Sequence, residues 1–118
     1  MMVADLPKAG QMEHAREYKV RLSERKGWPF VFCPRCKVNV VWPAALVSDD
    51  KSRIASEMRA SPAMAAKLVH LRFGLDLTEA KALIYHITVK SGECHRCHRP
   101  VQGEVSICAN CQSTCLNW

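Results

Sequence analysis

At 118 residues the chain has room for one domain with a modest core, or a small domain with an attached mini-module, and its 48% hydrophobic content permits that core. Its longest apolar stretch, residues 38–47, is broken by Asn39 and Pro43 and falls far short of the roughly 20 residues a bilayer span needs; the first twenty residues hold no apolar run of signal-peptide length. The formal charge of +6 hints at acidic partners, but every zinc ion held by four thiolates lowers it by about two, so the hint is weak.

A soluble, cytoplasmic protein with no membrane attachment is therefore expected. In that reducing compartment, seven cysteines point to metal ligation or redox chemistry before disulfides. Residues 1–10, with Pro7 and Gly10, read as a mobile end. Residues 11–26 are mostly helix formers, with Glu13/Glu17 and Arg21/Arg25 at four-residue spacing and Gly27 as a stop. Met12, Ala15, Tyr18 and Leu22 make only a thin apolar stripe, so this charged helix is expected to be solvated, or kept for a partner.

At residues 28–42, WPFVFCPRCKVNVVW, β-branched and aromatic residues surround Cys33-Pro-Arg-Cys36. The pattern predicts two short strands joined by a metal-binding turn and ended by Pro43. Three helical segments follow. Ser48 or Asp49 caps the first, which carries Ile54 and Met58. Ser61-Pro62 opens the second, with Met64, Leu68 and Leu71 on one face and Gly74 as its stop. Asp76 and Glu79 have capping-box spacing for the third, whose buried stripe is Leu77, Ala80, Leu83, Ile84 and Ile87.

Residues 64–84, MAAKLVHLRFGLDLTEAKALI, contain the run Gly74-Leu75-Asp76-Leu77-Thr78-Glu79-Ala80-Lys81. This segment resembles the helix-turn-helix of the C-terminal domain of the large-subunit ribosomal stalk protein, with its Gly-Leu-x-Leu-x-Glu-Ala-Lys turn. The resemblance covers about a fifth of the chain. It implies a helical hairpin and a partner-binding face that includes Lys67, Arg72 and Lys81.

Cys94-x2-Cys97, ten residues, then Cys108-x2-Cys111 has the spacing of a zinc ribbon, a broad family that this segment resembles. Each Cys-x2-Cys turn presents two thiolates to one ion. Residues 98–107 suit a β-hairpin between them, with Pro100 and Gly103 as turn residues and Val101, Val105 and Ile107 as strand residues. His95 and His98, inside the first turn, read as exposed polar groups. His70 and His86 read as partly buried or surface groups on helices. Trp118 is expected to pack over the knuckle and shield its sulfurs.

Cys33 and Cys36 are a second pair of metal ligands whose partners the sequence leaves open. Cys115 with His95, His98 or His86 could complete a second site; alternatively Cys33 and Cys36 could join one downstream pair and leave the other with Cys115. Closing the 57 residues between Cys36 and Cys94 instead of the 10 between Cys97 and Cys108 costs roughly 1.5 kcal/mol more. The local tetrad is thus preferred but not forced.

The expected fold is a small α+β zinc-binding protein. Residues 1–27 form the N-terminal end and charged helix, 28–91 the knuckle strands and helical hairpin of a three-helix segment, and 92–118 the zinc ribbon. No paired carboxylates, phosphate loop or three-ligand metal pattern is visible, so no enzyme is expected. The expected role is a zinc-dependent adaptor that contacts a protein partner, in translation or transcription. The alternative is a nucleic-acid-binding zinc-ribbon protein that uses Arg35, Lys37, Lys90, Arg96 and Arg99. Few aromatics flank the knuckles, which favours the adaptor. The partner's identity and the oligomeric state are not encoded legibly.

Overall fold

The computed structural model describes the backbone of Arg16–Glu17 and Arg21–Leu22 and the whole of residues 27–118. In chain order the elements are β1 (Arg16–Glu17), β2 (Arg21–Leu22), β3 (Pro29–Cys33), β4 (Val38–Val41), α1 (Ser48–Ala60), α2 (Pro62–Phe73), α3 (Leu77–Tyr85), β5 (Val105–Ile107) and β6 (Thr114–Leu116). The strands form two antiparallel sheets, ordered β2-β3-β4 and β1-β5-β6. The architecture is α+β. No helix among the described residues is long and apolar enough to cross a membrane.

The β3–β4 hairpin forms where the β-branched and aromatic run places it. Its register runs from Phe30 opposite Val41 to Cys33 opposite Val38. Val31 and Cys33 face inward while Phe32 is exposed, the alternation a half-buried strand requires. The helix expected over residues 11–26 lies mostly outside the described residues, as does the mobile end expected at 1–10. The four residues described there correct that reading: Arg16 and Glu17 pair with β5, and Arg21 and Leu22 pair with β3. A helix with so thin an apolar stripe has little to bury, whereas β3 and β5 each offer an unpaired edge.

The helix starts follow from capping chemistry, with one shift. The N-cap of α1 is Val47, not Ser48 or Asp49, and its amide is held by the Asp50 carboxylate at 3.2 Å. Ser61 caps α2 through Met64 N–H at 3.4 Å with Pro62 at the first helical position, and Gly74 closes it in the left-handed region at φ 82°. The capping box of α3 is complete: Glu79 N–H donates to Asp76 at 2.8 Å, and Asp76 N–H donates to Glu79 at 3.2 Å.

The face that α2 buries differs from the expected stripe. Met64 and Leu71 are exposed, and the buried residues are Ala65, Ala66 and Val69. Lying between α1 and α3, α2 turns small side chains toward both neighbours, which lets the axes approach closely. On α3, Ala80, Leu83 and Ile84 are buried as expected and Ile87 follows them, but Leu77 is half exposed.

One buried cluster joins Val31, Val40, Trp42 and Leu46 to the inner faces of all three helices and to Val105 and Leu116. Segment 92–118 therefore does not stand apart from the helices. Thr88 N–H donates to Leu116 O at 3.0 Å and Leu116 N–H donates to His86 O at 2.9 Å, so the chain leaving α3 pairs with β6. Arg59, at the end of α1, donates to the carbonyls of Thr88, Val89 and Trp118 at 3.0, 2.9 and 3.2 Å. Trp118 does not cover a knuckle: β6 carries it away to pack edge-on against Trp42 at 5.6 Å. Leu116→Ala should thus destabilise the whole protein by about 2–5 kcal/mol. Helical circular dichroism and tryptophan fluorescence should melt together at a lowered temperature; separate transitions would contradict a shared core.

Candidate metal centres

Three Cys-x2-Cys turns have one backbone geometry. The residue four positions after each first cysteine, Lys37, His98 and Gln112, has a left-handed φ of 62°, 66° and 67°. Its amide returns to the carbonyl of that cysteine: Lys37 to Cys33 at 2.8 Å, His98 to Cys94 at 3.0 Å, Gln112 to Cys108 at 2.9 Å. A left-handed non-glycine residue costs free energy. Its repetition makes the turns equivalent devices, each aiming two sulfurs the same way. Short antiparallel pairings flank each turn: β3 with β4, Glu93 with Pro100, and β5 with β6. The hairpins therefore form around the turns, not between them across residues 98–107, because each turn itself reverses the chain.

The second and third turns converge. Cys94, Cys97, Cys108 and Cys111 bring their sulfurs within 4.8 Å of one another, with Cys94 to Cys111 and Cys97 to Cys108 both at 3.5 Å. None of the seven cysteines is in a disulfide. For metal–sulfur bonds of about 2.3 Å the edge of a tetrahedron is about 3.8 Å, so the tetrad fits one ion. Burial pushes the Cys111 thiol up, and neighbouring Cys94 adds to this, taking it to about 12. Burial also works against ionising Cys97, yet hydrogen bonds from Asn110 and the Arg99 amide outweigh it and hold the thiol at about 6. Thiolates this close to one another repel, and a cation bound among them would remove that conflict.

Cys115 belongs to neither ligand set. It lies buried beneath the tetrad with Cys94, Cys108 and Val101, and its sulfur faces Ser113 O at 3.7 Å. Burial, reinforced by Cys94, pushes this thiol up, which keeps it neutral. The schemes that make Cys115 a ligand, or that mix the first turn with a downstream pair, are corrected accordingly.

The first turn finds its partner in α3. The sulfurs of Cys33 and Cys36 and a ring nitrogen of His86 lie within 4.8 Å of one another. His86 is the C-cap of α3, 1% exposed, and its Nδ1 donates to Ala82 O at 2.6 Å. That bond fixes the tautomer and leaves Nε2, buried and without a hydrogen-bond partner, as the free donor atom. Burial pushes the Cys33 thiol up, but the facing imidazole and the Thr114 and Cys36 amides, each 3.4 Å from its sulfur, outweigh this and hold it at about 5. Two cysteine sulfurs and a buried imidazole nitrogen at this spacing are donors that suit a soft divalent cation. Folding thus creates the three-ligand pattern that is absent from the sequence.

The other histidines are placed differently. His95 is half-buried instead of exposed: Nε2 donates to Thr114 O at 3.2 Å and contacts Ser113 Oγ at 2.9 Å, and the ring packs edge-on against Tyr85 and His86 at 5.3 and 5.5 Å. Burial, with His86 nearby, brings its pKa down to about 4. His98 is exposed and lies 4.0 Å from Glu93. His70 is structural, donating Nδ1–H to Leu75 O at 2.6 Å across the α2–α3 turn. The one signal that pointed to His86 in the sequence was its place among Leu83, Ile84 and Ile87, a polar ring on an apolar face.

Compared with family models, curated proteins and solved structures, the chain matches none, and the resemblance of residues 64–84 to the stalk protein gains no support there. Two substitutions separate ligand from lining. Cys97→Ser should lose one equivalent of bound metal and the structure of the surrounding turns. Cys115→Ala should keep the full metal content at a stability cost of about 1–2 kcal/mol. Elemental analysis of both purified variants checks this, and metal loss from Cys115→Ala would place that thiol among the ligands.

Proposed function

We propose that the protein is a zinc-binding, non-enzymatic adaptor whose metal centres set the shape of a helical surface that holds a protein partner. Four thiolates at tetrahedral spacing in a closed, partly buried site suit structural zinc. The observation that carries the adaptor reading is a cleft of about 530 Å³ between α2 and α3. Its lining is mostly apolar, from Pro62, Ala63, Ala66, Leu77, Ile84 and Tyr85, together with His70, Lys67 and Lys81. Leu77 and Tyr85, both lining the cleft, are 47% and 53% exposed and offer apolar surface that a partner would cover.

The cleft divides the basic face implied by the resemblance. Lys81 lines it, Arg72 lies with Arg53 along the α1–α2 groove, and Lys67 borders both. An apolar floor between two lysines is complementary to an acidic amphipathic helix, whose apolar side chains enter the cleft while its carboxylates meet the rim. Translation or transcription is the setting that the stalk-like hairpin and the ribbon suggest. Of the basic residues that the nucleic-acid alternative would use, Arg35 and Arg96 keep their charge but are oriented by hydrogen bonds within the protein, to Cys111 O at 3.4 Å and Tyr85 OH at 2.5 Å.

The test is capture of partners from the protein's own cells with and without nuclease, followed by binding measurements on the purified pair. Ala63→Trp, which fills the cleft from an exposed position, and the double reversal Lys67→Glu/Lys81→Glu should each weaken binding at least tenfold, with zinc content and helicity unchanged. Binding that ignores both, falls steeply with salt and is lost in Arg96→Ala/Arg99→Ala would instead make nucleic acid the ligand.

A further inference from the structure

We propose that Cys33, Cys36 and His86 bind a second zinc ion and leave its fourth coordination position to a small exogenous anion. The proposal extends the zinc reading of the Cys94 tetrad to a site of a different kind. The first turn repeats the backbone geometry of the two turns that build the tetrad, down to the left-handed residue and its returning amide. Its sulfurs face no second turn; they face His86 Nε2, a buried nitrogen that has no hydrogen-bond partner. Leaving such an atom unpaired costs free energy, which a metal ion relieves. The Nδ1 bond to Ala82 O supplies the outer support that metal-bound imidazoles use.

Zinc takes four ligands, and the described residues supply three. No further cysteine, histidine or carboxylate among them joins the group. His95, whose ring is 5.5 Å from that of His86, has Nε2 committed to Thr114 O and Ser113 Oγ, and Cys115 lies beneath the other centre. Three protein ligands with one position left over is the pattern of zinc sites that exchange ligands, as four thiolates is that of closed ones. The surroundings also say where that position opens and to what. Cys33 and His86 are buried, whereas Cys36 is half exposed, so access is on the Cys36 side. Arg35 and Arg96 place positive charge beside Cys36. A zinc ion with two thiolates and a neutral imidazole is formally uncharged, so an incoming anion is balanced by these guanidinium groups.

Cobalt(II) tests this, since its visible absorption reports donor type and number. Metal-free protein is reconstituted anaerobically with cobalt and titrated with sodium azide, with sodium chloride at matched ionic strength as control. Two equivalents should bind, and the bands of one ion should shift saturably with azide. Cys36→Ala, at a half-exposed position on the margin of the core, should bind one equivalent and lose the azide response; Cys97→Ser should lose the other equivalent and keep it. If Cys36→Ala does not fold, His86→Gly serves in its place, with added imidazole restoring the second equivalent and the response. Binding of a single equivalent by the wild-type protein overturns the second site. Two equivalents with a spectrum untouched by azide overturn the open position, since a side chain elsewhere in the chain then fills it. A response that survives Cys36→Ala and disappears in Cys97→Ser overturns the assignment by placing exchange at the tetrad, and the tetrad's own cobalt shows whether the zinc reading as a whole has failed.

Discussion

Four sulfur atoms within 4.8 Å of one another are the constraint on which the segment beyond α3 depends. Thiolates that close repel strongly, thiols at that spacing gain little, and neither state explains why three separate turns each hold a residue in the left-handed region. A cation bound among them would replace mutual repulsion by four attractions and return far more free energy than the left-handed residues of the tetrad's two turns, His98 and Gln112, cost. Apart from cysteine, residues 92–111 bury only Val101, Val105 and Ile107 as apolar side chains, and of these Val101 alone belongs to the cluster around the tetrad.

The three-residue strand β6 transmits that order to the rest of the protein. It pairs with β5 behind the third turn, and its Thr114 amide reaches the sulfur of Cys33. Its Leu116 amide holds the carbonyl of His86, and the Leu116 side chain is fully buried against the helices. The two metal centres are therefore arranged through one backbone segment. His95 strengthens the link: it sits within the second turn, hydrogen-bonds to β6 and packs against His86. The guanidinium of Arg35, inside the first turn, reaches the carbonyl of Cys111 in the third.

The same connections govern the helical surface. At its start α3 is set by the Asp76–Glu79 capping box, and at its end by His86, whose side chain faces the thiols of β3 and the turn after it. Between those two fixed points lie Leu77, Lys81, Ile84 and Tyr85, which form one wall of the cleft. The Tyr85 hydroxyl is held by Arg96 from within the second turn. The residue that faces Cys33 and Cys36 and the wall of the cleft thus belong to one helix, so an ion bound by those three side chains would also hold that end of α3.

Local chemistry was legible in the residues alone. Ser61-Pro62, Gly74, the Asp76–Glu79 pair, the strands around Cys33 and Cys36 and the composition of the tetrad all depend on neighbours within a few positions, where side chain and backbone meet whatever the rest of the chain does. The failures all involve partners far along the chain. Periodicity found a stripe on α2 but could not show that α1 and α3 would take its alanine side and leave Met64 and Leu71 outside. Propensity favoured a helix at Arg16–Glu17 and Arg21–Leu22, where the free edges of β5 and β3 claim the backbone instead. The sequence named His86 among three histidines for the first turn, and nothing local distinguished it from His95 and His98. That choice was made by the path of β6, which brings the end of α3 against Cys33. Spacing along the chain determines which residues can ligate together in a turn, because a turn's geometry is local; which turns and side chains meet is decided by the packing of the whole core, and no short window of residues contains that information.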